Sequence, residues 1–279
     1  MTRIVNNCVA LVCLCLFWGQ SLRAADASHS EQIKWGNESV FNEEHNTLGL
    51  FSGVLGGQIV LAGGTSDDYS RWGRNAVCLS ENAGFALYED VLSKPLAYGA
   101  SITLSDGILC IGGRDSSQCY KDVFLVTMQQ GKLNVSEDWP PLPFPLSNAA
   151  GALLDNKVYL FGGRKSVSPS RLSDSFFVLD LSNKSRGWKE LPGYPGCVRE
   201  DAILVVQNNG VSPCLYLLGG QTETEEGLSS CLTDGYVYNP QLGKWSSLGS
   251  DFPKGICAAV ASGANHILLF QKEIGRAHV

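Results

Sequence analysis

Methionine is almost missing from this 279-residue sequence, with two copies, and histidine is scarce, with four. His29, His45, His266 and His278 stand too far apart to read as a metal-ligating set, and no Cys-x-x-Cys spacing offers a zinc site. There is no run of five or six like charges, hence no sign of a charged disordered tail. With 17% charged residues and a net charge of −6, the chain has no basic stripe to hold nucleic acid. Beyond the first 27 residues no apolar stretch is long enough to span a bilayer. What is abundant is glycine, at 31 residues, which points to turns between strands rather than to helices.

The phrase Lys157-Val-Tyr-Leu-Phe-Gly-Gly-Arg164 organises the rest. It recurs as Ile59-Val-Leu-Ala-Gly-Gly64, Ile108-Leu-Cys-Ile-Gly-Gly113 and Leu215-Tyr-Leu-Leu-Gly-Gly220, at intervals of 49, 50 and 57 residues. Four apolar β-formers closed by glycine read as a strand buried on both faces. A glycine pair permits positive φ and close approach of neighbouring backbone. Four such phrases at a period of about 50 residues are the mark of kelch propeller blades.

Each unit reads as four strands. A small, apolar inner strand opens it: Gly49 to Gly53, Gly99 to Leu104, Ala149 to Leu154, Ala202 to Val206 and Ala258 to Ala261. Small residues suit strands crowded around a narrow channel. The glycine-pair strand follows, then a third strand led by Asn75, Asp122, Asp174 or Asp234, then a tryptophan with prolines nearby, at Trp139, Trp188 and Trp245. Proline is tolerated on an outermost edge, which need not donate a hydrogen bond. Prolines 95, 145 and 195 recur 50 apart and open the turn into the next inner strand. The expected fold is all-β, a kelch-type β-propeller of four complete blades and a partial fifth over residues 48–272. Ile267 to Phe270 begins a fifth glycine-pair strand, but Gln271-Lys272 stands where the glycines are due. Residues 273–279 fit no blade position and look non-native. An incomplete ring with uncapped apolar faces at both ends, poorly soluble as written, is the expectation.

Residues 1–27 have the parts of a secretory signal. Arg3 is the positive end, Cys8 to Trp18 is an apolar stretch of 11, and Ala25-Asp-Ala27 competes with Leu22-Arg-Ala24 as the cleavage site. The expected location is outside the cytoplasm, periplasmic or secreted, with no membrane association once the signal is removed. Residues 28–47 are polar and read as a linker or one closing strand. Seven cysteines remain in the mature chain (78, 110, 119, 197, 214, 231 and 257), an odd count that cannot pair completely.

Longer phrases resemble a particular kelch group. Pro95-Leu-Ala-Tyr-Gly-Ala-Ser101, Ile108 to Gly113, Asp122-Val-Phe-Leu125, Leu191-Pro-Gly-Tyr-Pro-Gly196 before Arg199, and Leu232-Thr-Asp-Gly-Tyr-Val-Tyr-Asn-Pro240 look like the cyclically permuted mutarotases, whose sialic-acid members are N-acetylneuraminate epimerases. The resemblance covers roughly residues 48–270. It implies a six-bladed parent fold and interconversion of the anomers of a sugar acid by a glutamate and an arginine, without metal or organic cofactor. It places the glutamate in the loop after a glycine pair; in the fourth blade Gln221 stands there and Glu223 lies two residues on. Where an arginine is expected beside Thr233-Asp234, the chain has Leu232.

In a propeller the loops leaving second strands and those entering first strands share one face. Arg114, Arg164 and Gln221 follow glycine pairs, while Tyr98, Asn148 and Arg199 stand at inner-strand entries. The expected catalytic pair is Arg199 and Glu223, with Tyr98, Arg114, Asn148, Arg164 and Gln221 binding the substrate. For Arg114 and Arg164 the competing reading is a structural ion pair with a loop aspartate such as Asp115, and for Glu200 it is pairing with Arg199. Arginine suits a sugar carboxylate because its planar fork makes two charge-assisted hydrogen bonds. A non-catalytic propeller that binds a glycan or a protein partner is the alternative, since fold alone does not fix function. Copper-dependent oxidation needs a Cys–Tyr and His ligand set that the chain does not offer.

Overall fold

The computed structural model describes residues 48–80 and 84–271. The signal read over residues 1–27, the segment 28–47 and the tail 273–279 lie outside the described residues.

The described chain is a succession of antiparallel sheets. The first blade is β1 (Phe51–Leu55), β2 (Gln58–Ala62), β3 (Ala76–Ser80) and β4 (Gly84–Tyr88), and the second is β5 (Ala100–Thr103), β6 (Ile108–Ile111), β7 (Val123–Gln129) and β8 (Lys132–Ser136). The third begins with β9 (Ala150–Leu154) and β10 (Lys157–Phe161). A rim ribbon of β11 (Arg164–Ser166) and β12 (Arg171–Leu172) leaves it before β13 (Phe176–Asp180) and β14 (Lys189–Leu191) complete the sheet. The fourth repeats this plan: β15 (Ile203–Asn208) and β16 (Pro213–Leu218), a ribbon of β17 (Gln221–Glu223) and β18 (Ser229–Cys231), then β19 (Gly235–Asn239) and β20 (Lys244–Gly249). β21 (Ile256–Ser262) and β22 (His266–Gln271) pair as a two-stranded fifth sheet. The kelch arrangement expected from the repeat is therefore present, with four full blades and a partial fifth.

The glycine pairs have one task. At Gly63 and Gly112, both with positive φ, a Cβ would lie 2.2 Å from the carbonyl oxygens of Leu96 and Leu146. The second glycine of each pair donates its N–H to those same carbonyls, at 2.9 Å from Gly64 and 2.8 Å from Gly113, and Gly163 does likewise to Arg199 at 2.8 Å. In blades one to three the phrase thus fastens the blade to the loop entering the next, and any side chain at its first position would push the two apart. At the fourth pair the approach is looser: the nearest atom to a Cβ on Gly219 is 3.4 Å away.

Between blades the faces are apolar and continuous. Phe51, Val60 and Ile108 join blades one and two, Leu109, Val158 and Phe177 join two and three, and Phe161, Phe176 and Leu215 join three and four. Each fully buried Phe or Leu contributes about 1.5–3 kcal/mol relative to exposure. Trp139 and Trp188 pack against the second of these cores and Trp245 against the third, where rings of Phe161, Phe176 and Tyr238 surround it. The inner strands β1, β5, β9, β15 and β21 stand side by side in that order. No hydrogen bond joins the fifth sheet to the first among the described residues. The far face of blade one carries Ile59 and Leu61 in a small cluster with Leu50 and Leu79.

Candidate functional site

One end of the inner strands gathers the candidate residues. Single bridges tie each entry loop to the exit loop of its own blade: Leu48 to Thr65, Ala97 to Arg114, Ser147 to Arg164 and Glu200 to Gln221. One residue further along, the entry loops bond to one another. Tyr98 N–H donates to Gly49 O at 2.7 Å, Asn148 N–H to Tyr98 O at 2.7 Å, and Asp201 N–H to Asn148 O at 3.0 Å. All four residues have φ between 52° and 64°. The rim is therefore a staircase with Gly49, Tyr98, Asn148 and Asp201 as equivalent steps.

That register corrects the assignment of Arg199. Leu96 and Leu146 accept from the second glycines of blades one and two, and Arg199 accepts from that of blade three. Arg199 occupies a buried leucine position, two residues before the step that Tyr98 and Asn148 hold. Gly196, Cys197 and Val198 stand between Pro195 and Arg199, whereas Pro95 and Pro145 lead directly into Leu96 and Leu146. The Arg199 side chain is 0% exposed. Its Nη1 and Nη2 donate to the two oxygens of Asp234 at 2.7 and 2.8 Å, Nη1 also to Gly219 O at 2.8 Å, and Nε to Tyr194 Oη at 2.8 Å. Burial opposes ionisation of Asp234, but the hydrogen bonds and charge of Arg199 outweigh it and hold the carboxyl below its ordinary value. An accessible Arg199 guanidinium at the rim, the expectation from sequence, does not hold; every N–H direction is committed to structure.

Arg164 is on the rim and saturated. Its Nε donates to Glu200 Oε2 at 2.8 Å, and Nη2 to Glu200 Oε1 at 2.5 Å and to Glu223 Oε1 at 3.0 Å. Ser170 Oγ contacts Arg164 Nη1 and donates to Glu223 Oε1 at 2.5 Å. The Ser170 hydrogen bond, with the Arg164 charge behind it, holds the Glu223 carboxyl below its ordinary value despite slight burial. Glu200 therefore pairs with Arg164, not with Arg199. Gln221 accepts from Ser229 Oγ at 2.5 Å and is held within its own ribbon.

Arg114 is different. No carboxylate pairs with it among the described residues. Asp115, the partner considered for it, is occupied by Ser117, Gln118 and Tyr120, and Arg114 reaches only its backbone oxygen, at 3.4 Å. Instead the guanidinium carbon lies 4.7 Å from the ring centre of Tyr98, 5.1 Å from that of Trp72 and 6.0 Å from that of Tyr69. Cation–π attraction fixes such a group over the rings while leaving its N–H edge unspent. Tyr69 and Trp72 were not singled out in the sequence; they lie in the exit loop of blade one, which carries no repeat signal.

Asp201 was not singled out either. Its Oδ1 accepts from Asn148 Nδ2 at 2.9 Å. The residue is exposed to solvent, although protein atoms surround its carboxyl. The crowding raises its carboxyl to about 6: desolvation is the main cause, the Asn148 hydrogen bond pulls the other way, and Glu200 adds a raising effect. Among the described residues no three His, Cys, Asp or Glu side chains are arranged to hold a metal ion.

Residues 139–272 match the family model of N-acetylneuraminate epimerase. Named N-acetylneuraminate epimerases from Yersinia pestis (strain Pestoides F) and Haemophilus influenzae (strain PittEE) are 30% and 31% identical over 139 and 131 residues, covering 48% and 47% of this chain. A Kelch domain-containing protein of Vibrio cholerae is 31% identical over 121 residues, 43% of this chain and 31% of its own length. The solved structure of YjhT superposes with a TM-score of 0.61 at 14% identity, over 81% of this chain and 82% of that one, a likeness of fold. The chain is a kelch propeller similar to the N-acetylneuraminate epimerases. Its match spans about a third of the length of those relatives, 33% and 32%. Within this epimerase-like propeller the matched segment contains Asn148, Arg164, Arg199, Asp201, Gln221 and Glu223, while Tyr69, Trp72, Tyr98 and Arg114 lie before it.

Proposed function

We propose that the protein is a carbohydrate mutarotase that interconverts the anomers of a sugar acid such as N-acetylneuraminate. The observation that carries this reading is Arg114, whose guanidinium has no carboxylate partner among the described residues and lies over Tyr98 and Trp72 at the rim. A carboxylate arriving there gains charge-assisted hydrogen bonds, and the ring it belongs to meets aromatic faces and hydroxyls. Relatives named for epimerisation of N-acetylneuraminate support the same substrate class. The reaction opens and recloses a hemiketal ring, work that positioned acid–base groups accelerate by about 10²–10⁴-fold. With the first 27 residues read as an export signal, the reaction takes place outside the cytoplasm.

Saturation-transfer NMR on N-acetylneuraminate, with a neutral hexose for comparison, tests this. Accelerated α–β exchange of the acidic sugar alone is expected. Binding of the sugar with exchange at the solvent rate would favour the second reading, a glycan-binding propeller, and an absence of binding would end both.

A further inference from the structure

We propose that Asp201 is the acid–base group of the anomer exchange, in the place where Arg199 and Glu223 were expected to act. The inference rests on the mutarotase reading and assigns its proton transfer to a residue that the repeat pattern had passed over.

Three independent observations converge on it. The first is position. Gly49, Tyr98, Asn148 and Asp201 are the four steps of the rim staircase, each bonded to the next through the backbone. Blade one fills this left-handed position with glycine, the residue that occupies it at no steric cost. Blades two to four fill it with Tyr, Asn and Asp at φ of 60°, 55° and 52°. Side-chain-bearing residues adopt this conformation infrequently, Asn and Asp more readily than others, so blade four can place a carboxylate at this step.

The second is a free lone pair. Asn148 Nδ2 takes Oδ1 of Asp201. Oδ2 has no hydrogen-bond partner among the described residues, and the residue is open to solvent. By contrast Glu200 and Glu223 both accept from Arg164, and Asp234 is clamped by Arg199. Of Glu200, Glu223, Asp234 and Asp201, the last is the one whose oxygen is oriented by a neighbour without an arginine hydrogen bond.

The third is the charge around it. Glu200 on the same loop opposes its ionisation, Arg164 on β11 and Arg114 on the blade-two exit favour it, and Tyr98 stands two steps away. Desolvation prevails and brings the carboxyl to about 6, within reach of neutral pH in either protonation state. A general base is most effective when its pKa lies near the working pH.

The step balances without a cofactor. Oδ2 of Asp201 removes the proton of the anomeric hydroxyl, whose oxygen becomes the carbonyl as the bond from the anomeric carbon to the ring oxygen breaks. A water molecule protonates the departing ring oxygen. Rotation about the adjoining carbon–carbon bond presents the other carbonyl face, the ring hydroxyl adds back and returns its proton to the hydroxide left by that water, and Asp201 gives its proton to the new anomeric oxygen. Nothing is oxidised or reduced.

The test uses the full chain and N-acetylneuraminate, with anomer exchange read by saturation transfer from pH 4.5 to 8 and sugar binding read by saturation-transfer difference. The parent rate should rise through an inflection near pH 6. Asp201→Asn, which keeps a residue tolerant of positive φ, should lose at least about 10²-fold in rate together with the inflection, while binding stays within about threefold. A variant that keeps both rate and inflection, beside an active parent, overturns the assignment and leaves the mutarotase reading standing. A parent that binds but never exchanges overturns the mutarotase reading, and the assignment with it. Loss of rate in Asp201→Asn with the parent's pH inflection preserved in the residual activity would reduce Asp201 to a positioning residue and overturn the proposal.

Discussion

Arg114 and Arg164 occupy the same place in consecutive blades, one residue past the glycine pair and bridged to the entry loop of their own blade. Arg164 donates to two carboxylates, and the Glu200 hydrogen bond in particular, stronger than the opposing desolvation, keeps it charged. Arg114 has three aromatic rings around it and, among the described residues, no carboxylate. The difference arises from the neighbouring steps. Blade four supplies Glu200 and Glu223 to Arg164, while blade three, the next one for Arg114, holds the uncharged Ser147 at the bridge position that Glu200 occupies in blade four. An arginine whose partners are already present stabilises the fold, and one whose fork is unspent awaits an anion. Arg199, buried and fully committed, is the far end of that scale.

The largest expected effect belongs to that far end. Arg199→Ala leaves Asp234 with only the Tyr236 hydroxyl and opens a cavity among Tyr194 and Tyr236, so it should cost about 3–5 kcal/mol in urea unfolding. Arg199→Leu combined with Asp234→Asn should recover more than half of that, because the equivalent positions already hold Leu96 and Leu146. The contribution of the Asp234 pair is present above its unfolded value near 3.8 and is lost as pH falls through the lower folded value. A midpoint unchanged by Arg199→Ala would mean that the buried pair adds nothing, and Arg199 would again be a site candidate.

Next comes Arg114→Ala. It should weaken binding of a sugar acid by about 10–100-fold, the loss expected when a charged hydrogen-bonding group is removed, and leave thermal stability almost unchanged. Arg164→Ala should do the reverse, lowering stability by about 1 kcal/mol, because its pairs are only partly buried. Titration calorimetry with N-acetylneuraminate and a thermal melt for each variant decide the matter. Equal losses of affinity in both would erase the distinction between the two arginines.

The fold was legible because its rule is a backbone rule. A Cβ at Gly63 or Gly112 would strike the Leu96 or Leu146 carbonyl, so the phrase must repeat wherever blades are fastened. Inner strands of small residues follow from the same crowding, and the three tryptophans from packing against the cores between blades. The site was less legible because rim register depends on loops of unequal length. The prolines at 95, 145 and 195 suggested equal spacing, but the three residues before Arg199 moved it into the interior. The signal was nonetheless present: the residues immediately before the inner strands that open at Gly99, Ala149 and Ala202 are Tyr98, Asn148 and Asp201. Nothing local marked Trp72 or Tyr69, whose importance comes from lying beside Arg114 in space.

A smaller effect separates Asp201 from the structural carboxylates by its sign. Its folded value, raised to about 6, exceeds the ordinary 3.8, so the folded state holds the extra proton between those values. Stability from this group is therefore greatest at low pH and declines as pH rises through that window, the opposite of Asp234. Asp201→Asn should remove this decline and be at least as stable as the parent at pH 7.5. Melting temperatures from pH 3.5 to 7.5 would show it, and a steeper rather than flatter profile in the variant would refute it.

The smallest expected change is Glu223→Gln, and it bears most directly on which rim carboxylate does chemistry. Glu223 accepts from Ser170 and Arg164 on a ribbon beyond the blade, and its carboxyl is held ionised below the ordinary range. A glutamine oxygen can still accept from Ser170, and Arg164 retains both oxygens of Glu200. Partly exposed ion pairs are worth about 0–1 kcal/mol, so stability should fall by less than about 1 kcal/mol. A base stabilised in its ionised form is also a weak proton acceptor at neutral pH, so exchange should slow by no more than about threefold. If Glu223→Gln instead abolished exchange with the fold intact, the arginine-paired glutamate would be the proton acceptor after all. Arg164 would then be a catalytic partner rather than a strut, and the contrast between the two rim arginines would be reversed.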